Sequence, residues 1–238
     1  APFQTFNFNF TQKVAMSTAQ TYSIFVESLA PNSGTDANNV NDTASTQVFA
    51  LSAIPDKNVV IEEFTTVPCG YCPGGTTRVS EILASEGTKA IATAIHAGFG
   101  TDGMTITEHS TLAAAFTSAA PTACIDRVYF PGEDNVAIGV EGMGTTSNTW
   151  KDKTVERESS IVPALVTASN VYNSGTRQLD VTVTAKFFSA VAGNFRVNCY
   201  IVEDSVTGTG SGYDQHSYYH DSPTSLNPWL NVGTTNLG

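Results

Sequence analysis

The chain has few basic residues and no long apolar run. Lysine and arginine make up 11 of its 238 residues against 22 aspartates and glutamates, which gives a formal net charge of −11. We therefore expect no nucleic-acid partner, because contacts to phosphates require clustered lysine and arginine. No stretch reaches the roughly 18 consecutive apolar residues of a membrane helix, so we expect no membrane-spanning segment.

Charged residues of both signs are scarce as well, at 14% of the chain, whereas threonine, serine, asparagine and glycine are abundant. This composition is typical of an exported, β-rich surface protein. The start of the chain lacks the basic and apolar stretches of a signal peptide, so we expect a mature chain or a fragment. Four cysteines are too few for a disulfide framework, and their positions therefore carry the information.

Three zones of the chain differ in their patterns. Residues 1–53 alternate apolar and polar side chains as strands do, around a turn-rich cluster of asparagine and aspartate. Residues 57–158 alternate strand-like and helix-like segments, which is typical of an α/β layer fold. Residues 161–238 return to strand-like alternation. We predict a central α/β domain flanked by two all-β segments, each part of a β-sandwich; the Ig-like character of these segments is implied by the resemblance given below.

Each end zone offers about three strands, one of them the run "NFRVNCYIVED" at 194–204, whereas a sandwich needs about seven. Either the end zones pair with each other, or the chain is cut from a longer protein and the last segment is truncated. In the middle zone the pattern predicts a strand at 58–64 and a helix at 73–86. A second helix is expected from near Thr107, and a third with Ser147 as its cap.

The segment "VVIEEFTTVPCGYC" contains two cysteines, Cys69 and Cys72, separated by two residues. Three interpretations are open. A zinc half-site needs a second pair of ligands, and Cys124 and Cys199 lie far apart in different zones. A redox pair needs its first cysteine at the start of a helix, where the helix dipole stabilises a thiolate. A structural disulfide has the same geometry and turns over nothing.

This segment resembles the active-site region of the thioredoxin superfamily. Phe64 stands five positions before Cys69, with Glu63 just ahead of it, and "AAPTACIDR" supplies Pro121 before a strand-like run. The resemblance implies a thioredoxin-like domain at 57–158, in which Pro121, usually cis in the superfamily, opens the strand that faces the cysteines. A cis prolyl bond costs only about 0.5–1 kcal/mol, so a fold can readily hold it.

Four segments together are similar to the Omp28-related outer membrane protein family of Bacteroidetes: "VIEEFTTVPCGYCPGG", "IATAIHAG", "PTACIDR" and "FRVNCYIVEDSVTGTGSGYDQ". The resemblance covers about residues 20–215. It implies a thioredoxin-like domain followed by a β-sandwich, often after another Ig-like module. It also implies a protein that is secreted or located at the outer membrane or cell surface. The family's sandwich usually continues further than this chain, so we expect a truncated one here.

The residues around the cysteines predict only modest thiol reactivity. No histidine or lysine lies within the motif to lower the pKa of a thiol, and the charges of Glu62 and Glu63 would raise it. Glu63 is a candidate proton relay to Cys72, although a solvated position at the strand edge is slightly favoured. His96 ends the next strand and is a candidate base, although a loop anchor is the commoner role of such a histidine.

Other histidines and thiols are assigned structural roles. His216 and His220 are spaced four apart, as zinc ligands on one face of a helix are, but the neighbouring glycine and proline favour an exposed polar tail. Cys124 and Cys199 are predicted to be small, buried thiols. Arg127 is expected to pair with an acid across the domain boundary.

Asp36 and Asp42 are candidate calcium ligands, because they lie in a cluster of oxygen-bearing side chains. A turn without metal is favoured, since no glutamate closes the run. Thr43 and Ser205 follow aspartates in triplets that resemble the O-glycan acceptors of Bacteroidetes, so glycans are candidates at both positions. We expect no cofactor and no bound metal.

Two functions are compatible with these features. The favoured one is an exported cell-surface scaffold or adhesion-type protein, in which the Cys69–Cys72 pair stays oxidised and the partner is a protein. The alternative is an exported thiol-disulfide oxidoreductase acting on a disulfide-containing protein. In that case Cys69 attacks as a thiolate, Cys72 resolves the mixed disulfide, and Pro121 aligns the substrate.

Overall fold

The computed structural model describes residues 7–29, 33–35, 38–141 and 147–220. Within these residues it has three small sheets and three α-helices, so the predicted combination of α and β structure is confirmed. In chain order the elements are β1 (Thr21–Glu27), β2 (Thr43–Phe49), β3 (Val59–Thr65), α1 (Cys72–Glu86), β4 (Ala90–His96), α2 (Thr107–Phe116), β5 (Thr122–Ile125), β6 (Ala137–Gly139), α3 (Thr149–Glu158), β7 (Ala164–Asn173) and β8 (Gln178–Phe187).

The chain divides into two compact units, and each combines two separate stretches of sequence. The first unit joins Ala1–Asp56 to Ile161–Asn198, and the second joins Lys57–Ser160 to Cys199–Gly238. The last predicted segment, 161–238, is thus divided, because its residues from Cys199 onward group with the α/β unit.

The first unit contains two antiparallel hairpins, β1–β2 and β7–β8. A parallel bridge joins Gln20 to Ala190, and the N–H of Ser52 donates to the carbonyl of Phe188. The two end zones of the sequence therefore contact each other. In the part of the chain that the structure describes, this unit has four strands, fewer than the seven of a complete Ig-like sandwich.

The strand predicted at 194–204 does not form, and these residues have no regular secondary structure. Their apolar side chains, among them Phe195 and Ile201, are exposed. Alternation of apolar and polar residues predicts a strand only if a neighbouring edge supplies hydrogen-bond partners, and here none of the described strands does so. Residues 7–10, part of the first alternating run, also lack regular structure.

The second unit is built on a four-stranded mixed sheet with the order β4-β3-β5-β6. β3 is parallel to β4 and antiparallel to β5, and β5 is antiparallel to β6. The connection from β3 to β4 runs through α1, as parallel neighbours require a crossover. Six of the seven residues of β3 are buried, with Val60 the exception.

Both faces of this sheet are covered, which explains the burial of β3. On one face Ile61 clusters with Ile82 of α1 and Trp150 of α3. On the other face Phe64 clusters with Ala113 of α2. Side chains on successive strand residues point to opposite faces, so every position of β3 meets a packed layer.

The helix starts follow from local chemistry. Pro73 occupies the first turn of α1, where its missing N–H would have had no partner within the helix. α3 is capped by Asn148, whose side chain accepts a hydrogen bond from the N–H of Lys151. The prediction of Ser147 as the cap was therefore wrong by one residue, because asparagine is an equally good capping residue and lies next to it.

Candidate functional site

Cys69 and Cys72 form a disulfide where β3 leads into α1. The Sγ–Sγ distance is 2.09 Å and the Cα atoms are 5.4 Å apart. Cys72 is the first residue of α1, and Cys69 lies in the loop before it. Only 3% of the surface of Cys69 and 0% of that of Cys72 are exposed, so the pair is enclosed by the rest of the unit.

The loop that carries Cys69 is held by a series of turns. The N–H of Cys69 donates to the carbonyl of Thr66, and the N–H of Cys72 donates to the carbonyl of Cys69, each at 3.1 Å. The hydroxyl of Thr66 donates to the carbonyl of Phe99, which ties the loop to the segment that follows β4. Hydrogen bonds therefore hold the loop that carries Cys69 at several points.

Glu63 and Pro121 meet on one side of α1, beside Gly75. A Cβ atom added to Gly75 would lie 2.3 Å from Oε1 of Glu63 and 2.9 Å from Cβ of Pro121. The peptide bond between Ala120 and Pro121 is cis, and Pro121 is buried at the start of β5. Gly75 is three residues after Cys72, so the carboxyl of Glu63 lies against the first turn of α1.

The carboxyl of Glu63 is buried, and its Oε1 accepts no hydrogen bond from the residues that the structure describes. Burial disfavours the charged form and raises the pKa of Glu63 to about 8. The favoured solvated position at the strand edge is therefore wrong, because the sheet is covered on this face too. At neutral pH the side chain is mostly a neutral acid, which can give up or hold a proton.

Glu62 is also buried, but its charge has partners. Arg127 donates to both carboxylate oxygens, from Nε at 2.7 Å and from Nη2 at 2.6 Å, and the hydroxyl of Tyr200 donates to Oε1 at 2.9 Å. The hydrogen bonds to Glu62 raise the pKa of Arg127, so the guanidinium stays charged. The prediction that Arg127 pairs across a domain boundary was wrong, because all three residues belong to the second unit.

His96, at the end of β4, is bonded to a buried aspartate that the sequence did not single out. Its Nδ1 lies 2.8 Å from Oδ2 of Asp102. The same oxygen accepts the N–H of Val67, and Oδ1 accepts the N–H of Met104, each at 2.9 Å. His96 thus anchors a loop that itself holds the cysteine loop, and its role as a base stays a prediction.

Asp102 remains charged despite its burial. Burial acts to raise the pKa of its carboxyl, but the hydrogen bonds from His96 and from backbone N–H groups outweigh burial and lower the pKa. The sequence signal for this residue was the "TDG" turn, because aspartates in such turns bind nearby backbone N–H groups. That signal indicates a turn, but it does not indicate how close the turn lies to Cys69.

Residues 212–219, called the strap below, pack on the cysteine loop. The N–H of His216 donates to the carbonyl of Val67 at 2.9 Å, and the N–H of Tyr218 donates to the carbonyl of Gly70 at 2.8 Å. The expected exposed tail is thus wrong for the described part of this segment. The pattern of glycine and polar residues hid contacts to a loop almost 150 positions earlier in the chain.

Side chains of the strap reinforce these backbone contacts. Nε2 of Gln215 donates to the carbonyls of Val67 and Cys69, at 3.1 and 3.0 Å. The ring of Tyr71, between the cysteines, meets the ring of Tyr218 edge to face, with centroids 5.0 Å apart. The density of tyrosine in "YDQHSYYH" was the one signal in the sequence that pointed to a packed segment.

The strap is not helical, so His216 and His220 do not share a helix face. The prediction for Cys124 is confirmed, because this thiol is buried and its burial raises its pKa to about 12. The prediction for Cys199 was wrong, since its side chain is exposed. The strand that would have enclosed Cys199 does not form.

The structure does not place the remaining candidate site residues next to the disulfide. Asp36 lies outside the described residues, and Asp42 follows a short 3-10 helix at Asn39–Asn41. Among the described residues there is no group of three or more side chains suited to bind a metal ion. Thr43 begins β2 and Ser205 lies in a bend, both exposed, and glycans there stay a prediction.

None of the helices in the described ranges has the length and apolar character that crossing a membrane requires. Comparison of the chain with models of protein families, with curated proteins and with solved structures finds no match. The functional proposal therefore depends on the geometry around Cys69 and Cys72.

Proposed function

We propose that this chain is an exported scaffold protein of the cell surface, in which the Cys69–Cys72 disulfide stays oxidised and holds a protein-binding domain together. The observation that carries this proposal is the enclosure of both cysteines, at 3% and 0% exposure, beneath hydrogen-bonded chain. A disulfide that exchanges with substrates must offer at least one sulfur to an attacking thiolate. Burial of both sulfurs favours a structural role.

A thioredoxin-like assignment of the second unit is part of this proposal. It is supported by the mixed sheet order β4-β3-β5-β6, by the cysteine pair at the start of α1 and by the cis bond before Pro121. An Ig-like assignment of the first unit is supported by its two antiparallel hairpins, β1–β2 and β7–β8. Membership of the Omp28-related family is proposed on the sequence segments alone.

Export is supported by the disulfide itself, because cytosolic reductants keep most thiols reduced whereas exported proteins retain disulfides. The low content of charged residues, 14%, agrees with it. We propose that the partner is a protein that binds at the surface of this molecule, and that the chain binds no nucleic acid.

The reduction potential of the pair tests the proposal. Full-length protein is equilibrated in dithiothreitol buffers of graded potential, and free thiols are alkylated and counted by intact mass. Structural disulfides have potentials below about −300 mV, whereas catalytic pairs fall between about −270 and −120 mV. We expect the structural range. A pair that is half reduced near −200 mV would overturn the scaffold proposal.

One observation favours the alternative, a thiol-disulfide oxidoreductase. The neutral carboxyl of Glu63 lies against the first turn of α1, where it could pass a proton to Cys72 as the disulfide opens. In this scheme the Cys69 thiolate attacks a substrate disulfide and Cys72 resolves the product.

Reduction of insulin disulfides by dithiothreitol separates the two candidates. An oxidoreductase accelerates the reaction, and the Cys69→Ser variant reduces the rate to background. A scaffold leaves the rate at background in both proteins. Acceleration by wild type alone would therefore support the alternative.

A further inference from the structure

The strap packs on the loop that carries Cys69 and on the first turn of α1, which carries Cys72. We propose, on the basis of the proposed oxidised pair, that residues 212–219 form a protective strap that must lift before a dithiol can reduce Cys69–Cys72. Three groups of contacts support this: to loop carbonyls, to glycine surfaces and to the segment after β4.

The first group occupies the carbonyls that surround Cys69. The N–H groups of His216 and Tyr218 and the side-chain amide of Gln215 donate to the carbonyls of Val67, Cys69 and Gly70. These bonds hold the strap against the loop at three carbonyl positions around Cys69.

The second group is formed by two tyrosine rings on the cysteine loop. A Cβ atom on Gly70 would lie 2.5 Å from the ring of Tyr218, and one on Gly74 would lie 2.6 Å from the hydroxyl oxygen of Tyr219. No other residue type allows so close an approach at Gly70. The rings thus cover the backbone on both sides of Tyr71.

The third group fastens the start of the strap to the segment after β4. The N–H of Gly103 donates to the carbonyl of Gly212 at 2.9 Å, and the hydroxyl of Tyr213 donates to the carbonyl of Gly103 at 3.3 Å. Asp102, one residue earlier, binds the N–H of Val67. The strap and the cysteine loop therefore share one support.

The strap can lift without unfolding the sheet. It has no helix or strand of its own, and residues 201–211, which precede it, are exposed. Ser217 and Tyr219 of the strap are buried, but a segment without regular secondary structure can open locally at a lower free energy than global unfolding. Opening exposes Cys69, the less enclosed of the two cysteines.

The reduction step then follows ordinary thiol exchange. A thiolate of an external dithiol bonds to Sγ of Cys69, the Cys69–Cys72 bond breaks, and Cys72 leaves as a thiolate that takes a proton from water. The second thiol of the reagent, once deprotonated, attacks the mixed disulfide and releases Cys69, which is protonated in turn. Two electrons pass to the protein, and the dithiol becomes a cyclic disulfide.

The test compares the rate of reduction by dithiothreitol in the wild type and in Gln215→Ala, quenched by alkylation and read by intact mass. Gln215→Ala removes two hydrogen bonds to the loop, so we expect reduction to be about tenfold faster. The matched control, Gln178→Ala, changes an exposed glutamine of β8 and should leave the rate unchanged. Equal rates in all three proteins would overturn the proposal.

A second variant displaces the strap from the other side. Gly70→Ala places a methyl group against the Tyr218 ring, whereas Gly139→Ala, the control, meets nothing within 4 Å. Hydrogen exchange of the His216 and Tyr218 amides should accelerate at least about tenfold in Gly70→Ala and stay unchanged in Gly139→Ala. Unchanged protection in Gly70→Ala contradicts a strap that is held by this contact.

The two proposals fail in different ways. A wild-type pair whose reduction potential falls in the range of catalytic pairs contradicts the structural disulfide, whatever the variants do. A wild-type pair of low potential, reduced at the same rate with and without Gln215, contradicts the strap alone.

Discussion

At the scale of single residues, two neighbouring glutamates of β3 have opposite electrostatic situations. Glu62 is bound by Arg127 and Tyr200, so its charge is compensated on the face that α2 covers. Glu63 points to the face of α1 and α3, and the described residues offer no hydrogen bond to its Oε1. Partners stabilise the first charge, whereas burial alone favours the neutral form of the second.

This difference predicts a pH dependence of stability that Glu63 causes. Its pKa rises from an ordinary value of 4.5 to about 8 on folding, so between these values the folded state keeps a proton that the unfolded state has lost. The free energy of unfolding therefore falls as pH rises, by about 1.4 kcal/mol for each pH unit. Glu63→Gln should remove this slope, as measured by urea unfolding from pH 5 to 8.

The difference in stability between Glu63→Gln and wild type at a given pH depends on how well the glutamine amide packs. The difference between the slopes of their stability curves with pH does not depend on this packing. Glu156→Gln, at an exposed position of α3, is the control and should run parallel to wild type. Parallel curves for Glu63→Gln and wild type would show that Glu63 is charged in the folded state over this range.

At the scale of elements, the start of α1 is defined by close packing. Gly75 lets the helix approach Glu63, Pro121 and Trp150, the last at 3.3 Å from a built Cβ atom. The sequence predicts this helix at 73–86, and the structure has it at Cys72–Glu86. The helical pattern and Pro73 were sufficient to predict the bounds of this helix. They did not predict which residues its first turn contacts.

We predict that Gly75→Ala destabilises the second unit by about 1–3 kcal/mol, despite the higher helix propensity of alanine. The added methyl group must displace the Glu63 carboxyl or the Pro121 ring, both of which are buried. Urea unfolding followed by tryptophan fluorescence, to which the buried Trp150 contributes, measures the change. Gly139→Ala, which meets nothing within 4 Å, should shift the midpoint little. A stabilised Gly75→Ala would contradict the packing at this turn.

At the scale of the whole molecule, the two units differ in how deeply their strands are buried. β3 is paired on both sides and buried at six of seven positions. Among the described strands β7 pairs only with β8, and most of its side chains are exposed. Opening the β7–β8 hairpin therefore uncovers less apolar surface than opening β3.

We predict that backbone amides of Val59–Thr65 exchange with solvent at least about tenfold more slowly than those of Ala164–Asn173. Hydrogen exchange of the full chain, read by mass spectrometry of peptides, provides the comparison. Equal protection would mean that the hairpin is covered in solution by a surface that its own unit does not supply.

Elements whose signals are local could be predicted from the amino-acid sequence alone. Periodicity located β3, α1 and the start of α2 at Thr107 within a residue or two. Two cysteines three positions apart at a predicted helix start were compatible with a zinc half-site, a redox pair or a structural disulfide, and the structure has the two sulfurs bonded. β6, with three residues, was too short to produce a pattern.

Contacts between residues far apart in the chain could be seen only in the folded molecule. Gln215 and Cys69 are 146 positions apart, and no local pattern relates them. The path of the chain in the fold likewise determines the burial of Glu63 and the division of the last β zone between two units. Helix caps and alternation act over a few residues, whereas burial is set by whatever other segment arrives, and that is a property of the assembled fold.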